Sequence, residues 1–278
     1  MRVILRQAIA VSVQALLVSI NTKLPLDVWG ALEQAKELSR GTGALFMDDI
    51  INNAVLARKR GLPLCQDTGM VVVFAELGVE VSLEEPLQQT IDFCVAEIYP
   101  RQGYRPSVVS DPLARTNTNN NTPSIVYVEL VTGNSLKLDI MIKGFGSENM
   151  SRSAMLTPAQ GYEGLKDFVV STVKNAGGNP CPPIIVGVGV GGTFDYCAML
   201  SKKALLRTIG ERHRESVWAE REKELLTAVN ELGIGPGGAG GGPTALAVHM
   251  EYHPTHIAGL PVAVNILCHS SRHGRVVL

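Results

Sequence analysis

Apolar residues near the N-terminus recur every three or four positions, which is the spacing of one face of an α-helix. The residues on this face are Ile9, Val13, Leu16, Leu17 and Ile20. Two further helices are predicted at residues 27–39 and 47–60, and the Gly-Leu-Pro sequence at 61–63 ends the second of them. The pattern therefore predicts a helical N-terminal lobe over residues 1–61.

Beyond residue 62, short apolar runs and alternating positions dominate, and both are typical of β-strands. The predicted strands are residues 70–81, 124–131, 135–142, 183–190 and 262–267, and the predicted helices are residues 87–99, 194–207 and 216–232. The Thr-Gly-Asn sequence at 132–134 indicates that the second and third strands form a β-hairpin. The predicted fold class is mixed α/β (α+β), in which the helical lobe is followed by a sheet-containing region over residues 62–278 of a single subunit.

Two glycine-rich stretches carry further information. Residues 187–192 read Gly-Val-Gly-Val-Gly-Gly and match the Gly-x-Gly-x-x-Gly pattern of dinucleotide-binding loops. A dinucleotide site also needs an acidic residue about 20 positions later, at the end of a second apolar strand, whereas Glu211 lies in a polar segment. We therefore disfavour that alternative. We interpret the other stretch, residues 233–243, as a loop whose backbone approaches another group closely.

The composition is that of an ordinary soluble globular protein, since 45% of the 278 residues are hydrophobic and 18% are charged. A net charge of −1 gives no reason to expect nucleic acid or a membrane as a partner. Ser12, Gln14 and Ser19 interrupt the N-terminal apolar stretch, which favours a core helix over an export signal. We therefore expect a cytoplasmic protein with reduced thiols.

The five cysteines divide into two groups by their surroundings. Cys94 and Cys197 lie within apolar helical segments, where a buried core position is the simplest interpretation. Cys65, Cys181 and Cys268 each lie beside a strand, next to polar or proline residues. Because no pair has the Cys-x-x-Cys spacing of zinc ribbons or ferredoxins, spacing alone also allows three unrelated cysteines. Their shared surroundings lead to the hypothesis that these three thiolates meet at one metal centre.

Three thiolates around a [4Fe–4S] cluster would leave one iron without a protein ligand, and such an iron can act as a Lewis acid. This arrangement suits the removal of water from a 2-hydroxy acid. Two other segments carry groups suited to an anionic substrate. Arg105 lies between a tyrosine and a proline, and a guanidinium is the preferred bidentate partner of a carboxylate. Residues 143–149, Lys-Gly-Phe-Gly-Ser-Glu-Asn, offer backbone N–H groups and a cation.

Taken together, these segments resemble class I fumarate hydratase. The resemblance rests on residues 65–69 (Cys-Gln-Asp-Thr-Gly), 105–109 (Arg-Pro-Ser-Val-Val) and 143–149, and on the segments around Cys181 and Cys268, in the same order over nearly the whole chain. It implies the alpha subunit of a two-subunit enzyme that hydrates fumarate to malate reversibly with a [4Fe–4S] cluster. The L-tartrate dehydratase alpha subunit shares the cysteines, but this chain follows the fumarase pattern at the second and third segments.

The resemblance also implies roles for particular residues. The implied cluster ligands are Cys65, Cys181 and Cys268. The implied substrate-binding residues are Gln66, Arg105 and Gly144. The implied catalytic residues are Asp67 and His256, and a carboxylate beside an imidazole would hold the ring charged and assist the departure of hydroxide. Phe145 stands where the family usually has glycine, so a related dicarboxylate stays open as the substrate.

The family's remaining substrate residues, including the base that removes the carbon-bound proton, are expected on a beta subunit. We therefore expect an α2β2 complex, and negligible hydration of fumarate by this chain alone. Three alternatives stay open from the sequence. The first is a hydro-lyase whose substrate is mesaconate or tartrate. The second is a scaffold with structural zinc or a cluster, and the third is a nucleotide-dependent oxidoreductase.

Overall fold

A computed structural model describes all 278 residues and shows helices and strands interleaved along the chain, as predicted for a mixed α/β protein. The helices are α1 (Arg6–Thr22), α2 (Leu26–Leu38), α3 (Gly41–Arg60), α4 (Leu87–Arg101), α5 (Phe145–Glu148), α6 (Gly161–Ala176), α7 (Phe194–Ala204) and α8 (Ser216–Glu231). The strands are β1 (Arg2–Ile4), β2 (Met70–Gly78), β3 (Val81–Leu83), β4 (Ile125–Val131), β5 (Leu136–Lys143), β6 (Arg152–Leu156), β7 (Ile184–Gly192), β8 (Ala245–Thr255), β9 (Leu260–Leu267) and β10 (Arg272–Val277).

The chain forms two compact units, each assembled from separate stretches. Unit 1 consists of Met1–Pro25, Ala54–Gly144 and Arg272–Leu278, and unit 2 consists of Leu26–Asn53 and Phe145–Ser271. The C-terminal stretch belongs to unit 1 because β10 pairs with β5. The units therefore differ from the contiguous regions 1–61 and 62–278 described from the sequence.

Unit 1 contains a four-stranded sheet with the strand order β10-β5-β2-β4. β2 pairs parallel with β4 and antiparallel with β5, so it lies between the two strands expected to form a hairpin. Both strands are present, but the predicted hairpin is wrong. β2 places Val71, Val73 and Ala75 in the hydrophobic core. Pairing on both sides satisfies the backbone polar groups of this buried strand, which a separate β4–β5 hairpin would leave unpaired.

Helix α1 packs its apolar face into the core of unit 1, as predicted. Ile9, Val13, Leu17 and Ile20 are at most 4% exposed and belong to the same cluster as the apolar face of α4. By length and composition alone, the segment Arg6–Leu38 qualifies as a membrane-spanning helix. In the structure this segment is divided into α1 and α2. Burial of one apolar face is the behaviour of a core helix in a globular protein.

Unit 2 contains a second four-stranded sheet, with the order β6-β9-β7-β8, and α7 packs against it. A Cβ on Gly187 would lie 2.1 Å from Ser201 O, and a Cβ on Gly189 would lie 2.0 Å from Cys197 O. These glycines lie within β7 and allow the helix to touch the strand backbone. The Gly-x-Gly pattern is therefore a helix–strand packing feature, which agrees with disfavouring the dinucleotide alternative.

The glycine-rich stretch 233–243 approaches other backbone segments closely, as predicted. Gly237 N donates a hydrogen bond to Pro182 O at 2.9 Å. A Cβ on Gly238, whose φ is 79°, would lie 2.9 Å from Gly178 Cα. Only glycine fits this left-handed position in contact with another backbone. The stretch therefore supports the loop on both sides of residue 181.

Candidate functional site

In unit 1, residues 64–69 form the loop that leads into β2, and hydrogen bonds from neighbouring elements hold it. Leu64 N donates to Asn21 O, at the end of α1, at 2.8 Å. Tyr99 Oη, on α4, donates to Thr68 O at 2.7 Å. The loop is therefore fixed between two helices of the core, although loops generally are more mobile than the elements they connect.

Two glycines bring the start of β2 and the end of β5 together. A Cβ on Gly69, whose φ is 61°, would lie 2.6 Å from Lys143 O. Asp67 Oδ1 accepts a hydrogen bond from Gly69 N at 2.9 Å, which orients the carboxylate. A Cβ on Gly144 would lie 3.2 Å from Asp67 Oδ2 and 3.4 Å from Arg272 Nη2. Asp67 and Gly144 are therefore neighbours, and the glycine leaves a small space beside the carboxylate.

Hydrogen bonds between side chains and the backbone connect the segment of Arg105 to the same loop. Thr68 Oγ1 donates to Arg105 O at 2.7 Å, and the Arg105 side chain is exposed. Asn121 Nδ2 donates to Gly69 O at 2.9 Å, and Asn121 Oδ1 accepts a hydrogen bond from Ser107 N at 2.7 Å. These contacts hold the segment of Arg105 against the loop. Unit 1 therefore brings together the predicted residues of the first two motifs.

Two residues in this part of unit 1 were missed from the sequence. Asn121 lies in an Asn-rich segment, which is typical of an exposed turn. In the structure it is fully buried with a φ of 62°, a conformation that asparagine tolerates better than most residues. Arg272 is 1% exposed at the start of β10. Its position four residues after Cys268 is the only sequence signal that points to it.

The two groups of cysteines differ in burial, as predicted. Cys94 and Cys197 are fully buried in α4 and α7. Burial raises the pKa of both thiols, and that of Cys94 to about 11. Cys181 is exposed, and Cys65 and Cys268 are half-buried. A metal binds the thiolate form of cysteine, and burial disfavours that form. Only the second group therefore offers thiols that are suited to metal binding and accessible to a metal. Cys65 Sγ lies 3.4 Å from Oε1 of its exposed neighbour Gln66.

In unit 2, a hydrogen bond joins the loop of Cys181 to the residue that follows Cys268. His269 Nδ1 donates to Cys181 O at 2.9 Å. Burial lowers the pKa of His269, which keeps the ring neutral at physiological pH. Cys181 has a φ of 56°, a left-handed conformation that costs a residue with a Cβ about 1–2 kcal/mol. Unit 2 thus brings the loops of two predicted ligands together, one of them in a strained conformation.

His256, the histidine predicted to be catalytic, and His249, a second histidine of the same region, differ in their surroundings. His256 follows β8 in the turn towards β9, and its side chain is exposed. Its Nδ1 accepts a hydrogen bond from Ala258 N at 3.2 Å, which places the proton of the neutral ring on Nε2. His249, within β8, is 2% exposed, and burial lowers its pKa to about 4. His256 is therefore accessible to a substrate, whereas His249 is a neutral core residue.

The predicted site residues are divided between the units. Cys65 and Asp67 lie in unit 1, whereas Cys181, Cys268 and His256 lie in unit 2. Within the chain as the structure describes it, no three His, Cys, Asp or Glu side chains stand together as a metal site. The meeting of the three thiolates and the pairing of Asp67 with His256 stay predictions.

Comparison with known proteins identifies the family. The family model described as fumarate hydratase (fumerase) matches residues 10–277. The chain is 44% identical over 264 residues to a Methanocaldococcus jannaschii protein provisionally named L(+)-tartrate dehydratase subunit alpha, with 90% of each chain covered. It is 32% identical over 264 residues to the L(+)-tartrate dehydratase subunit alpha of Escherichia coli O157:H7, with 93% of this chain and 87% of that protein covered. The fold and these similarities define a hydro-lyase subunit. The chain belongs to the class I fumarate hydratase (fumerase) family.

Proposed function

We propose that the chain is the alpha subunit of an iron–sulfur hydro-lyase that interconverts fumarate and L-malate. The observation that carries this proposal is the fixed loop of unit 1 that contains Cys65 and Asp67. Gly144, which follows β5, leaves space beside the Asp67 carboxylate. The family match over residues 10–277 supports hydro-lyase chemistry. The fumarase-type segments at 105–109 and 143–149 favour fumarate as the substrate.

The ligands proposed for a [4Fe–4S] cluster are Cys65, Cys181 and Cys268. Their thiols are exposed or half-buried, and the loops of the last two are adjacent in unit 2. The donor set fits the group, because cysteine thiolates are the usual ligands of iron–sulfur clusters. When bound, the cluster would supply an iron without a protein ligand as a Lewis acid for the substrate hydroxyl.

Binding of a dicarboxylate needs cations and hydrogen-bond donors around the carboxylates. Arg105 has an exposed guanidinium on a segment held against the Asp67 loop, and its planar fork suits bidentate binding of a carboxylate. Gln66 has an exposed amide on the same loop. Gly144 lets the substrate approach Asp67 where a side chain would stand in the way. We assign substrate binding to these three residues.

In the dehydration direction, the C3–H and C2–O bonds of L-malate break, and the electrons of the C3–H bond form the C2–C3 double bond. We assign the proton donor to His256 Nε2, which gives its proton to the leaving hydroxide. A charged ring carries protons on both nitrogens. Nδ1 would therefore give up its contact with Ala258 N, which is 3.2 Å long, and donate to the Asp67 carboxylate instead. The base that takes the C3 proton is assigned to the partner subunit.

A partner subunit forms part of this proposal. The relatives described above are named as alpha subunits of tartrate dehydratases, the first of them provisionally. We propose a beta subunit as the partner, an α2β2 complex, and a cytoplasmic location, where thiols stay reduced.

The test is hydration of fumarate by protein purified without oxygen, measured for the chain alone and for the chain with its partner subunit. We expect activity from the complex and negligible activity from the chain alone. Robust activity of the chain alone would overturn the need for a partner. A complex that acts on neither fumarate nor tartrate would overturn the hydro-lyase assignment.

The names of the relatives favour a second candidate, dehydration of L(+)-tartrate. Tartrate differs from malate by one additional hydroxyl group, on the carbon that loses the proton. The ratio of kcat/KM for L-malate and L(+)-tartrate dehydration separates the two candidates. A ratio in favour of tartrate would replace fumarate hydration with tartrate dehydration, and would leave the roles of the chain's residues as proposed.

A further inference from the structure

Arg272 is a buried cation of unit 1 whose hydrogen-bonding groups are not all satisfied. It is 1% exposed, and its Nε and Nη1 atoms have no hydrogen-bond partner. An arginine is always charged, and a charged group removed from water is costly unless it is paired and hydrogen-bonded. The unpaired donors therefore indicate a ligand that carries negative charge.

The neighbouring arginine of the same strand shows how this sheet satisfies a guanidinium when no ligand is needed. Arg275 Nε and Nη2 donate to the two carboxylate oxygens of Asp139, on β5, at 2.6 and 3.2 Å. Arg275 is also more than half exposed, so water reaches it. Arg272, by contrast, is buried and has two unpaired donors. The difference makes a purely structural role a poor account of Arg272.

The position of the third guanidinium nitrogen, Nη2, indicates where such a ligand binds. Nη2 would lie 3.4 Å from a Cβ on Gly144, and Asp67 Oδ2 would lie 3.2 Å from the same Cβ. The absent side chain thus leaves a space with a guanidinium on one side and a carboxylate on the other. A carboxylate in this space contacts Nη2, and bidentate binding then uses Nη1 or Nε, which are the two donors without partners.

A 2-hydroxydicarboxylate matches the guanidinium and the carboxylate on the two sides of this space. Its carboxylate accepts hydrogen bonds from a guanidinium, and the hydroxyl on the adjacent carbon donates one to a carboxylate. We propose that Arg272 is a substrate-binding residue that holds one carboxylate of the substrate and directs the adjacent hydroxyl towards Asp67. This assignment rests on the proposed function, because it concerns the same dicarboxylate.

The test is equilibrium binding of labelled succinate to the complex of the chain with its partner subunit, together with the KM for fumarate. Succinate is a dicarboxylate without a hydroxyl group, so its binding isolates the carboxylate contact. Arg272→Gln removes the charge, and Arg272→Lys keeps the charge without the bidentate fork. Arg275→Gln, on the same strand, is the matched control.

We expect Arg272→Gln to weaken succinate binding and raise the KM roughly 10- to 150-fold, the range for lost hydrogen bonds to charged groups. We expect a smaller effect for Arg272→Lys and none for Arg275→Gln. Circular dichroism of each variant checks its folding. If Arg272→Gln does not fold, Arg272→Lys, which retains the buried cation, decides the question.

A folded Arg272→Gln or Arg272→Lys variant that binds succinate with wild-type affinity would overturn the role of Arg272. If the unmodified complex hydrates fumarate, the proposed function is unaffected by that result. An unmodified complex that neither binds nor converts a dicarboxylate would overturn both this inference and the proposed function.

Discussion

The left-handed backbone of Cys181 allows a direct test of whether strain is retained there for function. A residue with a Cβ pays about 1–2 kcal/mol in this conformation, whose φ is 56°, and glycine does not. Glycine also gives the unfolded chain more conformational entropy, at a cost of roughly 0.5–1 kcal/mol relative to alanine. The difference between these terms predicts that Cys181→Gly is more stable than Cys181→Ala by about 0.5–1 kcal/mol.

Cys268 provides the matched control, because its φ is not positive. There is no strain to relieve at this position, so only the entropy of the unfolded chain acts. Cys268→Gly should therefore be less stable than Cys268→Ala by about 0.5–1 kcal/mol. The glycine–alanine difference is expected to have opposite signs at the two cysteines.

The assay is urea unfolding of the four metal-free variants under reducing conditions, followed by circular dichroism. Comparing glycine with alanine at one position cancels the loss of the thiol. Equal signs at the two positions would refute the strain at Cys181. Both Cys181 variants should also lose hydro-lyase activity, although the glycine variant is the more stable. That combination is expected where backbone strain is kept because it positions a functional group.

Three further predictions concern single residues. Burial lowers the pKa of His249 to about 4 from 6.5, so the unfolded chain binds a proton that the folded chain excludes. The free energy of unfolding should therefore fall by about 2 kcal/mol between about pH 7.5 and pH 5. His249→Gln should flatten this dependence in urea titrations, and an unchanged slope would contradict the assignment. Gly144→Ala would place a methyl group 3.2 Å from a carboxylate oxygen and should lower kcat/KM roughly 10- to 100-fold. The control Gly30→Ala, whose Cβ meets nothing within 4 Å, should keep full activity, and equal activity of the two variants would rule out crowding at Gly144. Asn121→Gly keeps the left-handed conformation but removes two hydrogen bonds of a buried side chain, which should cost about 1–3 kcal/mol in unfolding experiments. It should also speed amide exchange at Ser107, and unchanged exchange would refute the positioning role.

Local patterns in the sequence were sufficient for most of the elements. The 3–4 residue spacing of Ile9, Val13 and Leu17 corresponds to the buried face of α1, because helical periodicity and burial are directly linked. The environments of Cys94 and Cys181 were also distinguished correctly, because apolar neighbours in a helix and prolines in a loop are both local signals.

The order of the strands required information that local patterns do not contain. A Thr-Gly-Asn turn favours a hairpin, but burial of β2 between β4 and β5 satisfies more backbone and apolar groups. The roles of Asn121 and Arg272 were missed for a similar reason. Each depends on contacts with segments distant in the sequence, Gly69 for the first and Gly144 for the second.

The two glycine-rich stretches also show what local sequence patterns do not contain. The sequence indicated that residues 187–192 and 233–243 need glycine, but not what the backbone approaches. At Gly189 the close neighbour is the backbone of α7, and at Gly238 it is the backbone of Gly178. A glycine pattern therefore signals a close contact, and only the fold distinguishes a ligand from a neighbouring segment.

The central claim is that Cys65, Cys181 and Cys268 hold a [4Fe–4S] cluster with one iron free of protein ligands. The most direct measurement is the EPR spectrum of the complex purified without oxygen, before and after brief mild oxidation, for the unmodified chain, for alanine variants of these cysteines, and for Cys94→Ala as the control. We predict a [3Fe–4S] signal after oxidation that ferrous iron and reductant abolish, present in the unmodified chain and in Cys94→Ala and lost in the other variants. A silent sample that contains stoichiometric zinc would contradict the account.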